Sequence, residues 1–362
     1  MTRVLVVDDS AVFRKVIGRI LANEPGVEVV GYAADPYEAR ERIAELRPDV
    51  ITLDVEMPRM DGLAFLERLM RSHPMPVVLV SSLGETGSDV ALRALALGAV
   101  DVVAKPAADA SGEESSARLR AAVRGASTAK VRAHHTLPPA GAARRTEFPG
   151  GTSSLPPAML TGADHLVAIG ASTGGTRAIE TILRSLPAAM PPIVVVIHMP
   201  TGFTSAFARR LSDVSPFDVH EASDREALEP GTVLVAPAGR HARLVRAGER
   251  FMMRLYDGPP VRHHRPNIDV FLHSVAEQAG PRAVGALLTG MGADGARGLF
   301  EMRQQGAFTV AEAEESCVVY GMPKAAAEMG AAERVAALPL VAKVICDGLR
   351  RRASQPASTP AR

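Results

Sequence analysis

Ser172 stands in the glycine-rich stretch Gly170-Ala171-Ser172-Thr173-Gly174-Gly175, between an apolar run and an amphipathic one. Such a turn can cradle a phosphate or present a nucleophile. A phosphate-binding loop needs Lys and then Ser or Thr after its last glycine, but Thr176-Arg177 follow Gly175. A dinucleotide fingerprint needs glycine where Ser172 stands. Both phosphate readings fail on spacing. A nucleophilic serine needs a base to take its proton and an acid to orient that base. His198 ends the run "IVVVIH", and Asp294 lies in "GMGADGARG", just past "AVGALLTG". All three residues fall beyond the C-terminal ends of predicted strands, so in a parallel sheet they converge on one edge. The glycines let backbone N–H groups approach an oxyanion, and the helix start adds a positive dipole end. Each residue also has an ordinary structural reading: Ser172 as a helix N-cap, His198 as a hydrogen-bonded strand end, Asp294 as a turn former. The turn lacks the G-x-S-x-G elbow. Taken alone, the residues leave both readings open.

A second set lies near the N-terminus. Asp8 and Asp9 end the first predicted strand, Asp54 the third, Ser81 the fourth and Lys105 the fifth. Three carboxylates on one sheet edge repel one another unless a cation intervenes, and oxygen-only ligands suit Mg²⁺. With a hydroxyl and an ammonium added, the set fits a transient aspartyl phosphate: a carboxylate nucleophile, a neutralising Mg²⁺, and two groups that sense the new charge.

The elements that must position these residues are legible as alternation. From Val4 to about Val103, five short β-branched runs alternate with helical patterns, which predicts a parallel five-stranded sheet with helices on both faces. A closing helix is predicted from about Glu113 to Arg132. The Pro-, Gly- and Ala-rich segment that follows reads as a linker. A second α/β region starts near His165 with strands at Leu166–Ser172, Ile193–His198, Thr232–Pro237, Ala283–Gly290 and Ala307–Glu312. The expected organisation is therefore a unit at 1–130, a linker at 131–163, a second unit at 164–351 with a mainly parallel, doubly wound sheet, and a disordered tail at 352–362.

The 362 residues are 47% hydrophobic with a formal net charge of +1, which gives no electrostatic footprint for nucleic acid. No apolar run approaches the ~18 residues of a membrane span. Two cysteines do not make a disulfide framework, and a reducing cytoplasm is the expected setting. Asp257, His263, His264 and Asp269 have no metal-site spacing. The "HRPNID" loop reads better as a rim element beside the active site, and Cys317 as structural.

The first 130 residues resemble a response-regulator receiver. By position, the resemblance implies phosphorylation at Asp54, and Mg²⁺ on Asp9, Asp54 and the Glu56 carbonyl, with Asp8 acting through water. Ser81 and Lys105 would be the switch pair. The motifs "LDVEMPRMDGL", "GASTGG", "HMPTGFTSAFARRL", "HHRPNIDVF", "LLTGMGADGARG" and "ESCVVYGMPKAA" together resemble the chemotaxis protein-glutamate methylesterase family, CheB. That resemblance implies a phosphorylation-activated serine hydrolase. It would release methanol from glutamate methyl esters on methyl-accepting chemoreceptors, and deamidate certain receptor glutamines. It implies Ser172, His198 and Asp294 as the triad and the Met291 N–H as an oxyanion donor, with no cofactor in the catalytic domain. A chemotaxis histidine kinase would be the phosphodonor, and the receiver would cover the active site until phosphorylated. The protein is expected to be a monomer. Where the family often carries Gln before His-Met-Pro, this chain has Ile197.

Overall fold

The computed structural model describes residues 1–55, 57, 62–81, 85–106, 112–131, 165–248 and 250–353. It divides into two compact units.

The first unit alternates β1 Thr2–Val7, α1 Ala11–Ala22, β2 Val27–Ala33, α2 Pro36–Leu46, β3 Val50–Leu53, α3 Gly62–Ser72, β4 Val77–Ser81, α4 Glu85–Leu97, β5 Asp101–Ala104 and α5 Gly112–Ser127. The strands pair in parallel in the order β2-β1-β3-β4-β5. Val4–Val7, Val50–Leu53 and Val77–Ser81 are buried, as continuous apolar runs must be when helices cover both faces. Helix starts are fixed locally. The Ser10 hydroxyl accepts from the Phe13 N–H, and the Asp35 carboxylate accepts from Tyr37 and Glu38 N–H, with Pro36 at the first helical position. The closing helix stops at Ser127, short of the predicted Arg132.

In the second unit, β6 Leu166–Ala171 leads into α6 Gly175–Ser185, β7 Ile193–Ile197, α7 Phe203–Val214, β8 Asp218–Glu221, β9 Glu226–Ala227, β10 Thr232–Val235, β11 His241–Ala247 and β12 Arg250–Tyr256. The chain continues through α8 Ile268–Ala279, β13 Ala283–Leu287, α9 Ala296–Gln304, β14 Phe308–Glu312, α10 Met322–Glu328, β15 Arg334–Ala336 and α11 Leu338–Ala353. Seven strands form a parallel sheet in the order β15-β14-β13-β6-β7-β10-β8. From β6 the chain winds outward through β7 on one side and later returns to β13 on the other. The switch point, where ligands bind in open α/β sheets, therefore lies beside the C-terminal end of β6.

The sequence reading found five strands in this unit. It missed β8 and β15, short edge strands that are half exposed and carry no apolar run. It also missed a three-stranded antiparallel sheet, β11-β12-β9, in which buried Leu244, Phe251, Met253 and Leu255 alternate with exposed or half-exposed residues, among them Arg243, Arg250 and Arg254. The final helix continues to Ala353 and so takes in the first two residues of the expected tail. Residues 132–163 of the expected linker, and the tail from 354, lie outside the described residues.

Candidate active site

Ser172 follows the last residue of β6, and its N–H donates to the Thr289 carbonyl beyond β13. Only glycine fits around it. A Cβ on Gly290 would lie 2.7 Å from Ser172 Cβ and 2.3 Å from Met322 Sδ. Gly174 carries a φ of +79°, a left-handed conformation that L side chains disfavour. It is the N-cap of α6 and supplies no side-chain cap; the N–H of Gly175, the first helical residue, donates to the Ser172 carbonyl at 2.7 Å.

His198 follows β7 and Asp294 lies in the turn between β13 and α9. Because β6 is flanked by β13 and β7, all three side chains share one edge. His198 Nε2 lies 2.8 Å from Asp294 Oδ2, and Nδ1 lies 3.3 Å from Ser172 Oγ. The imidazole and the carboxylate are both buried. Asp294 also receives the N–H groups of Ile268 (2.9 Å) and Asp269 (3.0 Å), the first two residues of α8. Burial works to raise its pKa. The His198 hydrogen bond and charge, together with those backbone donors, outweigh it and pull the pKa down to about 2. An ionised Asp294 requires the proton on Nε2, which leaves Nδ1 as the acceptor facing the Ser172 hydroxyl.

Met291 directly follows Gly290, the residue packed on Ser172. Among the described residues its N–H donates to no acceptor, as an oxyanion donor must before substrate arrives.

One partner of this site escaped the sequence reading, and a second was read only as part of a rim loop. The Glu312 carboxyl, at the end of β14, is fully buried and accepts the Thr289 N–H at 2.9 Å. The Thr289 hydroxyl in turn donates to the Thr173 carbonyl and accepts the Val319 N–H. Glu312 thus braces the residue that holds Ser172. A lone acid ending the apolar run "FTVAE" was the available signal. The second is His264, whose ring lies on that of His198 with centroids 3.7 Å apart and planes 3° from parallel.

In the first unit, carboxylate oxygens of Asp8, Asp9 and Asp54 lie within 4.8 Å of one another. Lys105 Nζ sits 2.6 Å from Asp54 Oδ2 and 3.1 Å from Asp8 Oδ2. Burial works against the ammonium charge, but these two carboxylates more than offset it and the Lys105 pKa is raised. Asp8 and Asp54 are buried, and Asp9 is exposed. Hard oxygen donors alone fit Mg²⁺. Ser81 is the buried last residue of β4, and its carbonyl accepts the Lys105 N–H. Glu56 lies outside the described residues.

Comparison with known proteins agrees with this division. Residues 4–115 match the response regulator receiver domain, and residues 167–345 match the CheB methylesterase domain. A relative from Anaeromyxobacter dehalogenans, named protein-glutamate methylesterase/protein-glutamine glutaminase 4, is 54% identical over 338 residues, which cover 93% of this chain and 92% of the relative. One from Xanthomonas campestris pv. campestris with the same activity name is 51% identical, covering 94% and 95%. The crystal structure of the Thermotoga maritima CheB methylesterase catalytic domain superposes with a TM-score of 0.50 at 38% identity, covering 51% of this chain and 97% of that one. The chain belongs to the CheB methylesterase family, with a receiver domain ahead of its methylesterase domain.

Proposed function

We propose that this protein hydrolyses γ-glutamyl methyl esters on methyl-accepting chemoreceptors, with Ser172, His198 and Asp294 as its triad. The observation that carries the reading is the hydrogen-bonded chain from Ser172 Oγ through both imidazole nitrogens to Asp294. The Ser172 hydroxyl gives its proton to Nδ1 as Oγ attacks the ester carbonyl. Ionised Asp294 stabilises the imidazolium through Nε2–H. The oxyanion gathers at the Met291 N–H and the start of α6. Collapse expels methoxide, which takes the proton from Nδ1 and leaves as methanol. Water then enters, loses a proton to Nδ1 and attacks the acyl-enzyme; the Nδ1 proton passes to Ser172 Oγ as the acyl–oxygen bond breaks, which releases the glutamate carboxylate and restores the serine. The same cycle with ammonia as leaving group deamidates a receptor glutamine.

The receiver makes this activity conditional. Asp54 accepts a phosphoryl group from a chemotaxis histidine kinase. Asp9 and Asp54, with Asp8 behind them, would hold Mg²⁺, which when bound supplies positive charge against phosphoryl oxygens. Lys105, already paired with Asp54, is placed to follow the added charge of about −1.5 to −2. Among the described residues no helix is long and apolar enough to cross a membrane.

The test is methanol release from methylated receptor membranes. Ser172→Ala should fold normally and lose roughly 10⁶-fold in kcat, the loss seen when a triad nucleophile is removed. A variant that kept a tenth of the wild-type rate would overturn the assignment.

A further inference from the structure

His264 lies outside the hydrogen-bonded chain, yet its ring covers that of His198, with centroids 3.7 Å apart and planes within 3°. An unconstrained aromatic pair settles offset or edge-to-face at about 4.5–7 Å. A closer, parallel pair must be imposed by the backbone that carries it.

The loop before α8 does so. Val261 and His264 exchange backbone hydrogen bonds of 3.1 and 3.0 Å, closing a two-residue turn. Its central residues, Arg262 and His263, have φ of +49° and +68°, in a turn type normally given to Gly, Asn or Asp. Such strain persists only where surrounding structure over-determines it, and it clusters at functional sites. Here the surroundings are visible. Buried Asn267 donates from Nδ2 to the Val261 carbonyl at 3.2 Å, while its Oδ1 accepts the Val270 N–H and caps α8. Gly239 N–H holds the Arg265 carbonyl, and Arg265 Nη1 holds the Gly258 carbonyl. One residue, Asn267, therefore ties the His264 turn to the helix whose first N–H groups hold Asp294.

The need for a flat partner follows from the geometry of His198. Hydrogen bonds at Nδ1 and Nε2 fix the line between the nitrogens but leave the ring able to rock about that line. The bond to Ser172, at 3.3 Å, is a weak restraint. A second ring laid parallel on the first removes the rocking motion. Its π-face also favours the cation that forms when Nδ1 takes the serine proton.

We propose that His264 is a positioning residue for the hydrolysis, acting through stacking on His198 rather than by proton transfer. The proposal rests on the triad reading given above. Steady-state kinetics of the full-length protein on methylated receptor membranes tests it. His264→Ala should lower kcat by about 10- to 100-fold, the scale of a small misplacement of a reacting group, with KM within about twofold. His264→Phe, flat but unable to carry a proton, should restore most of the loss, and His264→Leu should not. Wild-type kcat in His264→Ala, or a Phe variant no better than the Leu variant, would overturn the proposal. The Phe–Leu pair decides even if the Ala variant does not fold. Ser172→Ala is run alongside. If it stays active, the triad reading falls and this proposal with it. If it is inert while His264→Ala is indifferent, stacking alone is excluded.

Discussion

One oxygen of Asp294, Oδ2, receives both the Nε2–H of His198 and the N–H of Ile268 at the start of α8. The carboxylate bonded to His198 thus also anchors the start of a helix, so the proposed triad and local stability share one group.

Asp294→Asn should therefore lose on both counts. Its amide nitrogen would oppose either the His198 Nε2–H and the Ile268 N–H, or the Asp269 and Gly295 N–H groups. A wrong tautomer at His198 costs about 10⁴-fold in kcat in a comparable triad. The stability effect has a definite sign. Asp294 has a pKa of about 2 in the fold against an ordinary 3.8, so it contributes stability above pH 3.8 that is lost as pH falls toward 2. Urea midpoints of wild type and Asp294→Asn should be well separated at neutral pH and draw together through that acid window.

Gly290→Ala tests the packing behind the nucleophile. The added methyl meets Ser172 Cβ and Met322 Sδ well inside contact distance. Overpacking of this kind costs about 1–3 kcal/mol. Methanol release should fall at least about tenfold, since the strain is relieved by shifting Ser172. Rates and thermal midpoints measured on one preparation separate the two effects.

Glu312 gives the opposite pH dependence. Burial raises its pKa above the ordinary 4.5, against the Thr289 hydrogen bond. A carboxyl that keeps its proton in the fold contributes fully below pH 4.5 and less as pH rises through its folded pKa. Glu312→Gln is neutral and keeps an acceptor for the Thr289 N–H. It should match or exceed wild-type stability above that pH, with activity retained. Glu312→Leu strands the Thr289 N–H and should cost about 1–3 kcal/mol, with reduced kcat. Equal midpoints for the Gln and Leu variants would show that the Thr289 bond contributes nothing.

In the receiver, a small-molecule phosphodonor with Mg²⁺ should raise the rate of the full-length protein, and Asp54→Ala should abolish the rise. Lys105→Ala removes the cation held between Asp54 and Asp8. It should leave the unstimulated rate near wild type and blunt the response several-fold. Initial rates with and without phosphodonor give the result. An undiminished rise in Lys105→Ala means that the signal leaves Asp54 by another route.

The site was legible where the fold makes function a property of strand ends. Ser172, His198 and Asp294 each follow an apolar run, and parallel runs finish on a common edge, so their meeting could be read without coordinates. The Asp8, Asp9, Asp54 and Lys105 group was legible for the same reason. His264 was legible only as part of a rim loop; its stacking on His198 was not, because the chain reversal at Arg262 and His263 uses residues that do not announce a turn. Nor was the brace from Glu312 to Thr289, which depends on β14 lying beside β13. The hairpin of β11 and β12 was hidden by its own alternation, which places arginines between its buried residues.

The spatial sequence across the sheet is Asp294, Ser172, His198, but synthesis delivers Ser172 first and Asp294 last. Asp294 emerges 96 residues after His198. At about 5–20 residues per second, a growing chain carries nucleophile and imidazole without their carboxylate for roughly 5–20 s. Through that interval the imidazole lacks the Asp294 partner at Nε2, and α8, once it emerges, lacks the carboxylate that receives its first N–H groups. On the proposed triad, a chain that ends before β13 therefore carries a serine and an imidazole without the carboxylate that would orient them, and should be a much weaker esterase than the full-length protein.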